Sequence, residues 1–115
     1  MSDFKPVLDK LIAFRKERDW EQFHKPKDLA LSLVLEASEV LEHFQWKSEE
    51  EIKEYVKTHK DDIAEELADV FNWVLLLSHD LDIDVIEASE KKIVKNGEKY
   101  TLEKSKGNAT KYNKL

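Results

Sequence analysis

The sequence has no cysteine, and only two glycines and two prolines among its 115 residues. Without cysteine it can form no disulfide, zinc–thiolate site or cysteine nucleophile. With so few turn formers and 38% charged residues, the composition points to an all-α chain. No apolar run is long enough to span a bilayer, and the N-terminus carries no signal-peptide core. The expectation is a soluble, cytoplasmic protein without a membrane partner. An excess of positive charge is also lacking: 19 Lys and Arg stand against 25 Asp and Glu, for a net charge of −6. A nucleic acid polymer would find no basic face to neutralise its phosphates. A small, highly charged substrate carried with its own Mg²⁺ remains compatible. Phosphate-cradling glycine loops, HExxH and serine-elbow motifs are absent.

The residues that stand out are two acidic stretches, Glu36-Ala37-Ser38-Glu39 and Glu66-Leu67-Ala68-Asp69. A spacing of three places both carboxylates on one helical face, about one turn apart. In so acidic a chain the spacing alone means little, since it recurs at pairs such as Glu51/Glu54 and Asp84/Glu87. The apolar flanks set the two stretches apart: Leu33, Val34, Leu35, Val40 and Leu41 around the first, and Ile63, Leu67, Val70 and Phe71 around the second. Carboxylates in apolar surroundings are costly unless paired, hydrogen-bonded or metal-bound. Two such helices facing each other would gather four carboxylates, a set suited to Mg²⁺. Carboxylates at the edge of a helical core are the alternative.

Helical periodicity predicts a first helix over residues 3–18, with Val7, Leu8, Leu11, Ile12 and Phe14 as its stripe. The segment Arg18 to Pro26 leaves the helix. Its Trp20 and Phe23 either pack beneath a connection or form a flat wall for a nucleobase, with His24 or Lys25 as donor. A second helix is predicted over 26–44, and a short connector helix over 49–57 after the Ser48/Glu51 capping box. A third long helix covers 60–79, where Trp73 follows Asp69 by one turn. A fourth covers 83–96 and ends at Asn96-Gly97. Lys91, Lys92, Lys95 and Lys99 near its end either complement the helix dipole or hold phosphates. The expected organisation is one helical domain over residues 1–101 and a polar tail over 102–115, flexible or wrapped on a neighbouring subunit.

A longer ordered set of residues then carries a resemblance. Glu17-Arg18-Asp19-Trp20-Glu21-Gln22-Phe23-His24-Lys25-Pro26, Glu36 through Lys47, Glu65-Glu66-Leu67-Ala68-Asp69-Val70, and Lys92 with Asn96 and Lys99-Tyr100 span most of residues 14–100. In this set the chain resembles the MazG-like all-α nucleoside triphosphate pyrophosphohydrolases, most closely their dCTP pyrophosphatase branch. The resemblance implies that Glu36, Glu39, Glu66 and Asp69 hold Mg²⁺ between the two long helices. It implies cleavage of a nucleoside triphosphate, dCTP or a related or modified dNTP, to the monophosphate and pyrophosphate, with Glu39 as the candidate base. It gives Trp20, His24, Trp46 and Trp73 the base side and Lys92, Asn96, Lys99 and Tyr100 the phosphate side. It also implies a homo-oligomer, a dimer or tetramer, with sites near the interfaces and a role in cleansing the nucleotide pool. Glu65 lies about 100° round the helix from Glu66 and falls outside the ligand set. The chain departs from the family pattern at Val94 and Thr101, and at the apolar Leu8, Leu11 and Ile12, where a polar base-reading residue is expected. Two rivals remain. A di-iron bundle needs two Glu-x-x-His motifs, and only Glu21 to His24 fits. A non-catalytic scaffold would have no need of the four carboxylates.

Overall fold

The computed structural model describes residues 4–107, and all regular structure among them is helical. The elements are α1 (Lys5–Glu17), a 3-10 turn (Glu21–Phe23), α2 (Pro26–Glu42), α3 (Glu49–Asp80), α4 (Val85–Lys99) and a short α5 (Leu102–Ser105). None of these helices is long and apolar enough to cross a membrane. The chain divides into two compact units, one ending at Asp82 and one beginning at Ile83.

In the first unit, α2 packs along α3 and α1 adds a third side. Pro26 opens α2, where its missing N–H costs nothing, and Asp28 Oδ2 accepts the Lys25 N–H at 3.2 Å. The expected connector is not a separate element: it is the N-terminal arm of α3. Ser48 caps that arm, with its Oγ accepting from Glu51 N and Glu51 Oε1 accepting from Ser48 N. The two arms meet at His59, whose φ of −122° and ψ of 18° depart from helical values. There the His59 ring stacks on Tyr55 at 4.0 Å, and its Nδ1 lies 2.8 Å from Thr58 Oγ1. Such side-chain competition for local polar groups is a known cause of kinks.

The core sits where Leu29 of α2 meets Leu75 and Leu76 of α3. The face of α2 turned to that core runs Leu29, Leu33, Glu36, Val40 and His43, a spacing of three and four. Ile63, Glu66, Val70 and Trp73 trace the corresponding face of α3. One carboxylate on each helix thus falls inside the apolar stripe. The opposite side of α2 leaves Leu31, Val34, Leu35 and Leu41 exposed.

Across the top of this unit, Arg15 of α1 grips Asp80 of α3 through two hydrogen bonds of 2.8 and 2.9 Å. The hydrogen bonds to Asp80 raise the Arg15 pKa, and the same bonds hold the Asp80 carboxyl below the usual carboxylate range.

In the second unit, Asp84 caps α4 by accepting from the Ile86 and Glu87 N–H groups, both at 3.1 Å. The helix runs through Gly97 to Lys99, past the end expected at Asn96-Gly97. A single glycine near a helix end costs only about 1 kcal/mol, too little to stop it here. Residues 102–105 of the expected tail form α5. Residues 1–3, with the expected start of the first helix, and 108–115, the last eight of the tail, lie outside the described residues.

Candidate active site

The acidic pairs meet across α2 and α3. Glu36, Glu39 and Glu66 bring carboxylate oxygens within 4.8 Å of one another. Glu36 and Glu66 are half-buried, and Glu39 is exposed at the rim. Glu36 Oε2 and Glu66 Oε2 are both shut off from solvent and have no hydrogen-bond partner. Shielded, unpartnered carboxylate oxygens aimed at one point are what a hard cation satisfies. Asp69 is close enough to Glu36 to raise its pKa, although burial is the larger cause. The Glu66 carboxyl is pushed up to about 7, first by the Glu39 carboxyl set against it and then by burial. Like charges forced together without a counter-ion hold protons that a cation would displace.

A cavity of about 440 Å³ opens beside this cluster, with Glu36 and Asp69 on its wall. Its far side is aromatic. Phe14 meets Trp20 edge-on at 5.7 Å between centroids, His24 lies 6.3 Å from Trp20, and Trp73 meets His24 at 5.5 Å. Burial lowers the His24 pKa, and Arg15 lowers it further, so the imidazole is neutral at pH 7. Trp20 is set by the turn after α1, where Asp19 adopts a φ of 53° and Trp20 N donates to Arg15 O at 3.1 Å.

The expected site residues therefore fall into three groups. Glu36, Asp69, Trp20, His24 and Trp73 share the cavity, and Glu39 and Glu66 complete the cluster at its edge. Trp46 does not line the cavity: it stands 92% exposed on the connection after α2, at a φ of 69°. Lys92, Asn96, Lys99 and Tyr100 belong to the second unit, spaced along α4 and its C-terminal cap, where Tyr100 N donates to Asn96 O at 2.8 Å. Three cavity residues escaped the sequence reading, Lys10, Asn72 and Leu76, and Arg15 entered it only at the start of the resemblance, with no role. Arg15 continues the α1 stripe of Leu8, Leu11 and Ile12 at helical spacing, and a cation in an apolar stripe is a signal of burial against a partner. Asn72 follows Asp69 by three and so shares its face.

Known proteins resemble this chain in sequence and fold. The MazG-like family profile covers residues 31–115. The mouse protein named dCTP pyrophosphatase 1 (Mus musculus) is 40% identical over 104 residues, 89% of this chain and 61% of its own length. The human protein of the same name (Homo sapiens) is 35% identical over a stretch of equal length, again 61% of its chain. The chain thus spans about three-fifths of these relatives. A pyrophosphatase from Archaeoglobus fulgidus, known from its crystal structure, superposes with a TM-score of 0.82 at 40% identity, covering 86% of this chain and 93% of that one. By the family profile that covers most of its length, this chain belongs to the MazG-like family.

Proposed function

We propose that this chain is a Mg²⁺-dependent nucleoside triphosphate pyrophosphohydrolase that acts in the cytoplasm on dCTP or a related or modified dNTP. The observation that carries the reading is the Glu36, Glu39 and Glu66 cluster beside an aromatic-walled cavity. The names of the mouse, human and archaeal relatives support it. Glu36, Glu39, Glu66 and Asp69 are the residues that would hold Mg²⁺. Bound there, the metal supplies positive charge for the phosphates and lowers the pKa of the attacking water.

The chain's own residues do the rest. Trp20 and Trp73 flank the base, and His24 offers a neutral hydrogen-bonding edge. Lys92, Asn96, Lys99 and Tyr100 are proposed for the phosphates, and Trp46 for the base of a substrate shared with a neighbouring protomer. Water attacks the α-phosphorus, the bond from that phosphorus to the bridging oxygen breaks, and Glu39 accepts the water's proton. The products are a nucleoside monophosphate and pyrophosphate. The exposed apolar side of α2 is proposed as the contact of a homo-oligomer, a dimer or tetramer.

The test is a panel of the common dNTPs and NTPs with Mg²⁺, and with EDTA as control, resolving the products. Monophosphate with pyrophosphate, lost in EDTA, is expected. Diphosphate with phosphate would put the attack at another phosphorus. No product from any nucleotide would leave a binding protein.

A further inference from the structure

We propose that Asn72 is a specificity-determining residue that reads the hydrogen-bonding edge of the substrate's base. This rests on the pyrophosphohydrolase reading above. Asn72 lies on α3 one turn beyond Asp69 and next to Trp73, on the wall of the cavity. It therefore sits between the carboxylate end, where phosphates belong, and the aromatic end, where a base belongs. The wall around it is apolar, with Leu11, Phe14 and Leu76 among its neighbours in the lining.

Of the other polar residues in the lining, Lys10 carries an ammonium that can only donate, His24 sits between the rings of Trp20 and Trp73, and the remaining three have different tasks. Arg15 is held by Asp80 in a two-pronged ion pair. Glu36 and Asp69 face the metal position, and a carboxylate there can only accept. Asn72 is half-buried, and no hydrogen bond to its carboxamide occurs among the described residues. Neither amide atom is shut off from solvent, so the carboxamide stands open in the cavity wall to a ligand's hydrogen bonds.

The chemistry of the carboxamide says what that partner is. Asn presents an acceptor oxygen beside a donor nitrogen. That pair matches a base edge on which an amino donor adjoins a ring-nitrogen acceptor, as asparagine does with adenine in grooves of DNA. Cytosine carries the same pattern at its amino group and adjacent ring nitrogen. On the first helix, Leu11 is apolar, and Lys10 brings only donors, which cannot match a donor–acceptor pair.

The experiment compares wild type with Asn72→Ala and Asn72→Leu, measuring kcat and KM with Mg²⁺ for dCTP, dUTP, dTTP and dATP. Alanine suits a helix and leaves room, while leucine keeps the volume, so at least one variant reads the loss of the carboxamide in a folded protein. Helical content and Tm are recorded for both. The expected result is a fall of about tenfold to a hundredfold in kcat/KM for the preferred base, carried mainly by KM, and a base ranking that flattens. Folded variants that keep the wild-type ranking and KM values would overturn the assignment and leave the hydrolase reading intact. Absence of turnover by the wild type on every nucleotide would overturn both.

Discussion

At the residue scale the cluster trades stability for function. Glu66 holds its proton up to about pH 7 because Glu39 and burial oppose its charge. An unfolded chain releases that proton near the ordinary carboxylate value of 4.5. The folded pKa is the higher one, so the stability tied to this group is complete below the unfolded value and is lost as pH rises through the folded one. In EDTA, Tm should therefore fall between about pH 5 and 7 and level off above that range. Mg²⁺ competes with the proton, so the Tm gain on adding it should be larger at pH 8 than at pH 6. Glu39→Gln removes the charge and most of the cause. In EDTA at pH 8 this variant should melt higher than wild type, while its turnover falls by about a hundredfold or more. Scanning calorimetry and the nucleotide assay read the two effects separately. A variant with wild-type turnover would remove Glu39 from the chemistry.

At the scale of elements, the ion pair between α1 and α3 should be worth most in stability. Arg15 is 7% exposed and Asp80 22% exposed at the side chain, so water does little to screen them. Asp80→Asn leaves a buried guanidinium without its counter-charge, and a loss of about 3 kcal/mol in urea unfolding is expected. Replacing both residues by leucine should recover much of that loss, because a desolvated pair is easily matched by apolar packing. Since Arg15 depresses the Asp80 pKa, the pair's contribution is present above the ordinary carboxylate range. It fades only as pH falls below that range.

The elements were also the level at which the sequence could be read best. The spacing of Leu29, Leu33, Glu36 and Val40 marks a helix with one carboxylate turned inward, and so it folds. The capping box at Ser48 likewise marks a real helix start. The His59 kink was not legible, because a bent helix and two abutting helices leave the same apolar pattern. Nor did Gly97 end α4, since a glycine that costs so little is a stop only where tertiary contacts agree. For the site, the carboxylates and two tryptophans could be placed from periodicity and resemblance. The Arg15–Asp80 pair and Asn72 could not. Residues 65 apart in the chain meet only through the packing of α1 on α3, which no local spacing encodes.

At the scale of the whole molecule, the apolar side of α2 has consequences beyond one protomer. Leu31, Val34, Leu35 and Leu41 are each more than half exposed, at 57, 63, 57 and 56%, and they recur at helical spacing as one stripe. Leu67 at 53% and Phe71 at 37% add an exposed strip on α3. Continuous apolar surface of this kind favours association over hydration by roughly 25 cal/mol for each Å² covered. A second copy is the proposed cover, since a symmetric contact lets each stripe bury the other. Sedimentation should therefore give a multiple of the protomer mass for the wild type. Leu31→Glu together with Leu41→Glu places a charge at each end of the stripe and should shift the protein to monomer, with its helical content kept, because neither side chain contributes to the Leu29–Leu75 core. Turnover of the monomer then separates two arrangements. If Trp46 reaches a substrate held by a neighbouring protomer, the monomer should show a raised KM, and Trp46→Ala in the oligomer should raise KM to a similar extent. Equal KM values for monomer and oligomer would confine the working site to one chain, and a wild type that sediments as a monomer would remove the contact altogether.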